Sequence, residues 1–148
     1  MGTYARDFFS KQDEEDIRQA ISNAELDTSG EIRVHIENTC TGDVMDRAAF
    51  IFRQLDMHGT AARNGVLIYL AVKNRRFAII GDVGINSVVP PNFWDEIKAN
   101  MLNKFRENHF ADGLIQAIMA AGNQLKRNFP HQRDDVNELS DDLSFGKD

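Results

Sequence analysis

From Val66 to Val72 the chain reads VLIYLAV, and five residues later FAII at Phe77–Ile80 repeats the pattern. Runs this apolar, without alternation, mark strands buried on both faces. The polar turn Lys73-Asn74-Arg75-Arg76 joins them, so they pair as an antiparallel hairpin. A sheet with such a hairpin needs an apolar layer on each side, which limits the fold to a few layered architectures. The first strand is entered through Arg63-Asn64-Gly65, and the second exits through Gly81-Asp82-Val83-Gly84. In a hairpin those two segments lie at the same end. Arg63, Asn64 and Asp82 are therefore expected to converge.

The flanking sequence supplies the layers. Ser10 and Asp13 form a capping pair, Asp13–Asp16 load the first turns with negative charge, and Ile17, Ile21 and Ala24 give a helical stripe ending near Leu26. Glu31–Glu37 alternates strictly. Ile32, Val34 and Ile36 point one way; Glu31, Arg33, His35 and Glu37 point to a wet or partly covered face, with His35 outward. Asp43 with Asp46 opens a second helix, and Met57–Thr60 closes it with Gly59 as cap. Strand, helix, strand in that order predicts a right-handed parallel crossover. After the loop VGINSVVPP, Asn92 starts a third helix; a break at Glu107–His109 precedes a fourth, which Pro130 stops. Residues 131–148 are polar, acidic and aperiodic, and read as a tail. The expectation is a three-layer α/β/α domain over residues 1–130. Its small mixed sheet, a strand–helix–strand crossover plus a hairpin, is covered by about four helices, and an acidic tail follows at 131–148.

At 148 residues and 42% hydrophobic content the chain suits one core. Its net charge of −6 disfavours nucleic acid and suits cations. Cys40 is the only cysteine, which excludes an intramolecular disulfide. No signal-peptide core and no window near the ~18 apolar residues of a membrane span are visible. The expectation is a soluble cytoplasmic protein that does not insert into a membrane.

SGEIRV at Ser29–Val34, RNGVLIYLA at Arg63–Ala71, GDVGI at Gly81–Ile85 and HFADGLIQAI at His109–Ile118 together resemble the TPM domain. That family is also described as the thylakoid-lumen, photosystem II repair and MOLO-1 group. The resemblance runs from about Phe9 to about Glu138 and implies a sheet sandwiched between helices. It further implies divalent-cation binding, with calcium as a ligand; a plant member is associated with acid phosphatase activity, and the family is sometimes labelled a phosphatase. For bacterial members it implies a LemA-type membrane protein as partner.

Calcium or magnesium takes oxygen ligands. Asp82, at a strand end, is the first candidate ligand. Asp112, inside the motif Phe110-Ala111-Asp112-Gly113, is a second; Asn64 and Glu31 complete the set. Gly81 and Gly84 would let backbone approach an ion. Each has a plainer role: Asp82 receiving turn amides, Asp112 as an N-cap, Asn64-Gly65 as a turn, Glu31 paired with an arginine. Arg63 suits a phosphate clamp or a salt bridge, and with Asp82 is the candidate for catalysis. The scattered histidines disfavour zinc, and Cys40 lacks an activating partner. Oxygen ligands at one sheet end, with no recognisable nucleophile or base, favour a cation-binding regulatory or interaction module. The alternatives are a weak metal-dependent phosphomonoesterase and a protein-interaction scaffold.

Overall fold

The computed structural model describes residues 5–130 and 143–146. Six helices and four strands follow in the order α1 (Ala5–Phe8), α2 (Lys11–Glu25), β1 (Glu31–Glu37), α3 (Val44–Gln54), β2 (Gly65–Ala71), β3 (Arg76–Gly81), α4 (Val83–Asn86), α5 (Phe93–Arg106), α6 (Phe110–Asn128) and β4 (Leu143–Phe145). The sheet order is β3-β2-β1-β4. β1 and β2 are parallel, with Glu31 opposite Gly65, and β2 and β3 are antiparallel, with Val66 opposite Gly81. This is the crossover-plus-hairpin sheet that the two apolar runs require.

Every residue of β2 is buried, and the reason is layering. Ile32, Val34 and Ile36 of β1 join Val66, Ile68 and Leu70 of β2 in one cluster with α2, α5 and α6. Leu67, Tyr69 and Ala71 face the other way, onto Ala48, Ile51 and Phe52 of α3. Each such aliphatic side chain contributes about 1.5–3 kcal/mol by leaving water, so the sheet cannot slip register without exposing one of its faces.

The helix ends show where local chemistry and topology diverge. Ser10 and Asp43 cap α2 and α3 as their sequence predicts, accepting from Asp13 N at 3.0 Å and Asp46 N at 2.9 Å. Gly59 does not cap α3. The helix stops at Gln54, Asp56 takes a left-handed conformation (φ 55°), and Met57–Gly59 form a separate 3-10 turn. Asn92 precedes α5, but its backbone is left-handed (φ 66°) and its side chain makes no cap bond. Residues 83–86, expected as loop, close into α4 because Asp82 accepts from Val83 N at 2.8 Å.

Two further differences concern β1. Its polar face is not wet: Glu31, His35 and Glu37 are buried. Its outer edge is also occupied, because the segment expected as an aperiodic tail contributes β4, with Ser144 opposite His35. Residues 131–142 of that tail lie outside the described residues. No helix among the described residues is long and apolar enough to cross a membrane.

Candidate functional site

The predicted convergence occurs where β1 and β2 begin and β3 ends. Asp82 N donates to Gly65 O at 3.0 Å, Asn64 N to Thr60 Oγ1 at 3.1 Å, and Gly84 N to Arg63 O at 2.8 Å. Gly84 is needed for this closure: a Cβ there would sit 2.0 Å from Ala62 O and 2.6 Å from Arg63 O. Its small size brings backbone against backbone, where the sequence suggested an approach to an ion. Arg63 adopts φ 53°, in the left-handed region, and its guanidinium turns onto Asp82. Nε–Oδ2 is 2.7 Å and Nη2–Oδ1 is 2.9 Å, a two-point charge-assisted pair.

Asn64 lies beside that pair and is 0% exposed. Its Nδ2 donates to Ser29 Oγ at 3.1 Å, while its Oδ1 has no hydrogen-bond partner. Glu31 is on the same rim, with Gly65 between its strand and Asp82. The Cα atoms of Glu31 and Asp82 are thus two strand spacings apart, about 10 Å. A cavity of about 380 Å³ opens at this end, and Arg53, His58 and Arg63 line it together with Asp82.

Asp112 is not part of this rim. It lies in the first turn of α6, two residues from Phe110, and Arg75 of the β2–β3 turn stacks on Phe110 at 5.0 Å. The other end of α6 reaches the rim, where Leu125 abuts Gly30. Thirteen helical rises separate Asp112 from Leu125, about 20 Å. Asp112 does not cap its helix either; the position before α6 belongs to His109. Among the described residues no group of three or more His, Cys, Asp or Glu side chains is arranged to hold a metal ion.

A second polar centre was hidden in the alternation of β1. Glu37 receives Arg47 at both oxygens, with Nε–Oε2 at 3.0 Å, and accepts from the Tyr69 hydroxyl. His35 stacks on Tyr69 with centroids 6.2 Å apart. Its Nδ1 lies 2.7 Å from Ser144 Oγ, and its Nε2 lies 3.5 Å from Glu37 Oε1. Burial alone would raise the Glu37 carboxyl, but the bonds from Arg47 and Tyr69 outweigh it and hold the group below the usual range. Burial pushes His35 below its ordinary value, against the opposing pull of Glu37. Burial and the bond to Glu37 lift the Tyr69 phenol far above its ordinary range. One sequence signal for this centre exists. Tyr69 interrupts a buried apolar run, and a buried phenol needs a partner.

The TPM domain family model matches residues 3–124. The chain belongs to the TPM domain family. Its structure is similar to that of the BA42 protein from the psychrophilic bacterium Bizionia argentinensis, at 45% identity and TM-score 0.86, over 94% of this chain and 96% of that one. The N-terminal domain of a protein from P. gingivalis shares the fold at 21% identity and TM-score 0.69, covering 84% of this chain and 82% of that one. That of a Corynebacterium glutamicum protein does so at 13% and 0.62, covering 95% and 82%. No curated protein matches the chain. The family match to this TPM domain includes both polar centres except Ser144, which lies beyond residue 124.

Proposed function

We propose that this TPM domain binds a divalent cation, calcium or magnesium, at the rim where β2 begins and β3 ends, as a regulatory or interaction module. Asn64 Oδ1 carries the reading: a fully buried amide oxygen with no donor. Leaving such an atom unsatisfied costs on the order of 1–3 kcal/mol, and a hard cation is the kind of ligand that relieves it. Asp82 offers a carboxylate beside it, and Glu31 a second across β2. Arg63 holds Asp82 now, but its side chain is 48% exposed. A guanidinium and a metal ion therefore compete for one carboxylate. Asp112, at the far end of α6, has no part in this set. A LemA-type membrane protein as partner and a cytoplasmic setting belong to the same proposal and rest on the resemblance and the sequence.

Calorimetric titration tests the reading. Calcium or magnesium is expected to release or absorb heat and to raise the melting temperature by mass action, and Asp82→Asn is expected to remove both effects. Absence of heat and of any melting shift with either ion removes the proposal.

One observation favours a second reading, a metal-dependent phosphomonoesterase. Two arginines, Arg53 and Arg63, line the 380 Å³ cavity together with His58 and Asp82, an arrangement suited to an anionic phosphate. Turnover of a phosphomonoester that survives Asp82→Asn unchanged would assign the activity to a contaminant.

A further inference from the structure

We propose that the second polar centre is an acyl-transfer site for small carboxylic esters, with Ser144 as nucleophile, His35 as general base and Glu37 as the residue that positions the base. It lies away from the rim and does not depend on cation binding there.

The register puts the three side chains together. β4 runs parallel to β1 with Ser144 directly opposite His35, and Glu37 follows His35 by two residues on the same face. Ser144 Oγ and His35 Nδ1 are 2.7 Å apart, within the reach expected of a nucleophile and its base. Glu37 Oε1 faces Nε2 at 3.5 Å and makes no hydrogen bond to it. A carboxylate there favours the tautomer with its proton on Nε2. The lone pair of Nδ1 then points at the serine hydroxyl. Arg47 and Tyr69 fix Glu37 in turn. Because burial lowers the His35 pKa, the imidazole is an unprotonated base at neutral pH.

A cavity of about 470 Å³ adjoins these groups, walled by His35, Glu37, Arg47, Phe50, Ser144 and Phe145. Phe50 is 45% exposed. With Phe145 it offers an apolar wall for a short acyl chain. Arg47, its side chain 40% exposed, supplies positive charge on the same wall for a developing oxyanion.

In the reaction, Ser144 Oγ attacks the ester carbonyl as its proton passes to His35 Nδ1. The carbon–alkoxy bond of the tetrahedral intermediate then breaks, and the alcohol leaves with that proton. Water then attacks the acyl-serine as its proton passes to His35 Nδ1; the bond from the acyl carbon to Ser144 Oγ breaks, His35 returns the proton to Oγ, and the carboxylic acid departs. No oxidant, reductant or co-reactant other than water is required.

The test uses the full chain with p-nitrophenyl acetate and butyrate, and with a fluorophosphonate whose attachment site is mapped by mass spectrometry. The expected results are phosphonylation of Ser144, loss of ester hydrolysis in the labelled protein, and a fall in kcat/KM of about 100-fold or more in Ser144→Ala. Labelling uses the unmodified protein, so it stands even if Ser144→Ala releases β4. The rate is expected to fall on the acid side below pH 6.5, through protonation of His35 among Arg33, Glu37 and Arg47. Glu37→Gln is expected to move that limb to lower pH, because Glu37 raises the His35 pKa; a purely structural Glu37 would leave it in place. No adduct on Ser144 in the folded protein, or equal kcat/KM in Ser144→Ala, overturns the proposal.

Discussion

Arg63 and Asp82 close the sheet end with two parallel hydrogen bonds, Nε to Oδ2 at 2.7 Å and Nη2 to Oδ1 at 2.9 Å. The same carboxylate accepts from Val83 N at 2.8 Å and so starts α4. Replacing it with an amide weakens both attachments, since a neutral oxygen binds donors less strongly. Asp82→Asn is expected to speed amide exchange at Val83–Ser87 while leaving β2 protected. Hydrogen exchange read residue by residue checks this, and equal protection throughout α4 would contradict it.

Tyr69 gives a prediction about stability. It is 0% exposed, and its hydroxyl donates to the charged Glu37. Hydrogen bonds to charged groups contribute about 1.5–3 kcal/mol. Tyr69→Phe keeps the ring and its stacking on His35, so the expected loss in denaturant unfolding is about 1.5–3 kcal/mol, with an unchanged m-value. A change below 0.5 kcal/mol would mean that the phenol bond is not formed.

Acid is expected to destabilise the fold in two stages. The folded-state pKa of His35 is depressed below 6.5, so the unfolded chain binds the proton first as pH falls. Stability present above pH 6.5 is lost as pH drops through the folded value. Glu37 is depressed below 4.5 and adds a second loss in the same direction further down. Melting temperatures measured from pH 8 to pH 2 check the sign of both stages, and His35→Gln is expected to remove the first stage alone. A melting temperature that rises between pH 7 and pH 5 would contradict it.

Gly122 sets the distance between α2 and α6. A Cβ there would lie 2.6 Å from Ala24 Cβ and 3.0 Å from Ala24 Cα. Alanine gains about 1 kcal/mol in helix propensity, while overpacking against a neighbouring backbone costs about 1–3 kcal/mol. The contact wins because the atoms in the way belong to Ala24 itself, which has no flexible side chain to move. Gly122→Ala is expected to lower stability by about 1 kcal/mol in a thermal melt; a gain would contradict the packing.

The two apolar runs and the strict alternation of Glu31–Glu37 made the sheet, its parallel crossover and its hairpin legible, because burial on both faces leaves a direct imprint on composition. Arg63, Asn64 and Asp82 were legible as neighbours for the same reason: strand direction alone brings them to one end. Asp112 misleads because a helix start carries no information about which end of the sheet it covers. Arg75 on Phe110 is a tertiary contact that settles it. His35 and Glu37 look solvent-facing in an alternating strand, yet α3 and β4 bury them. An alternating pattern reports polarity and is silent about whether polar partners such as Arg47 arrive from another element. Leu143-Ser144-Phe145 is too short for any period to register, so β4 and its serine were invisible beforehand.

In the proposed cation site Asp82 is shared between Arg63 and the ion. The most direct measurement is a calorimetric titration of Arg63→Ala with calcium and magnesium, beside the unmodified protein. Removing the competing guanidinium is expected to tighten cation binding. Affinity that stays the same or weakens in Arg63→Ala would show that Arg63 and a cation do not compete for Asp82.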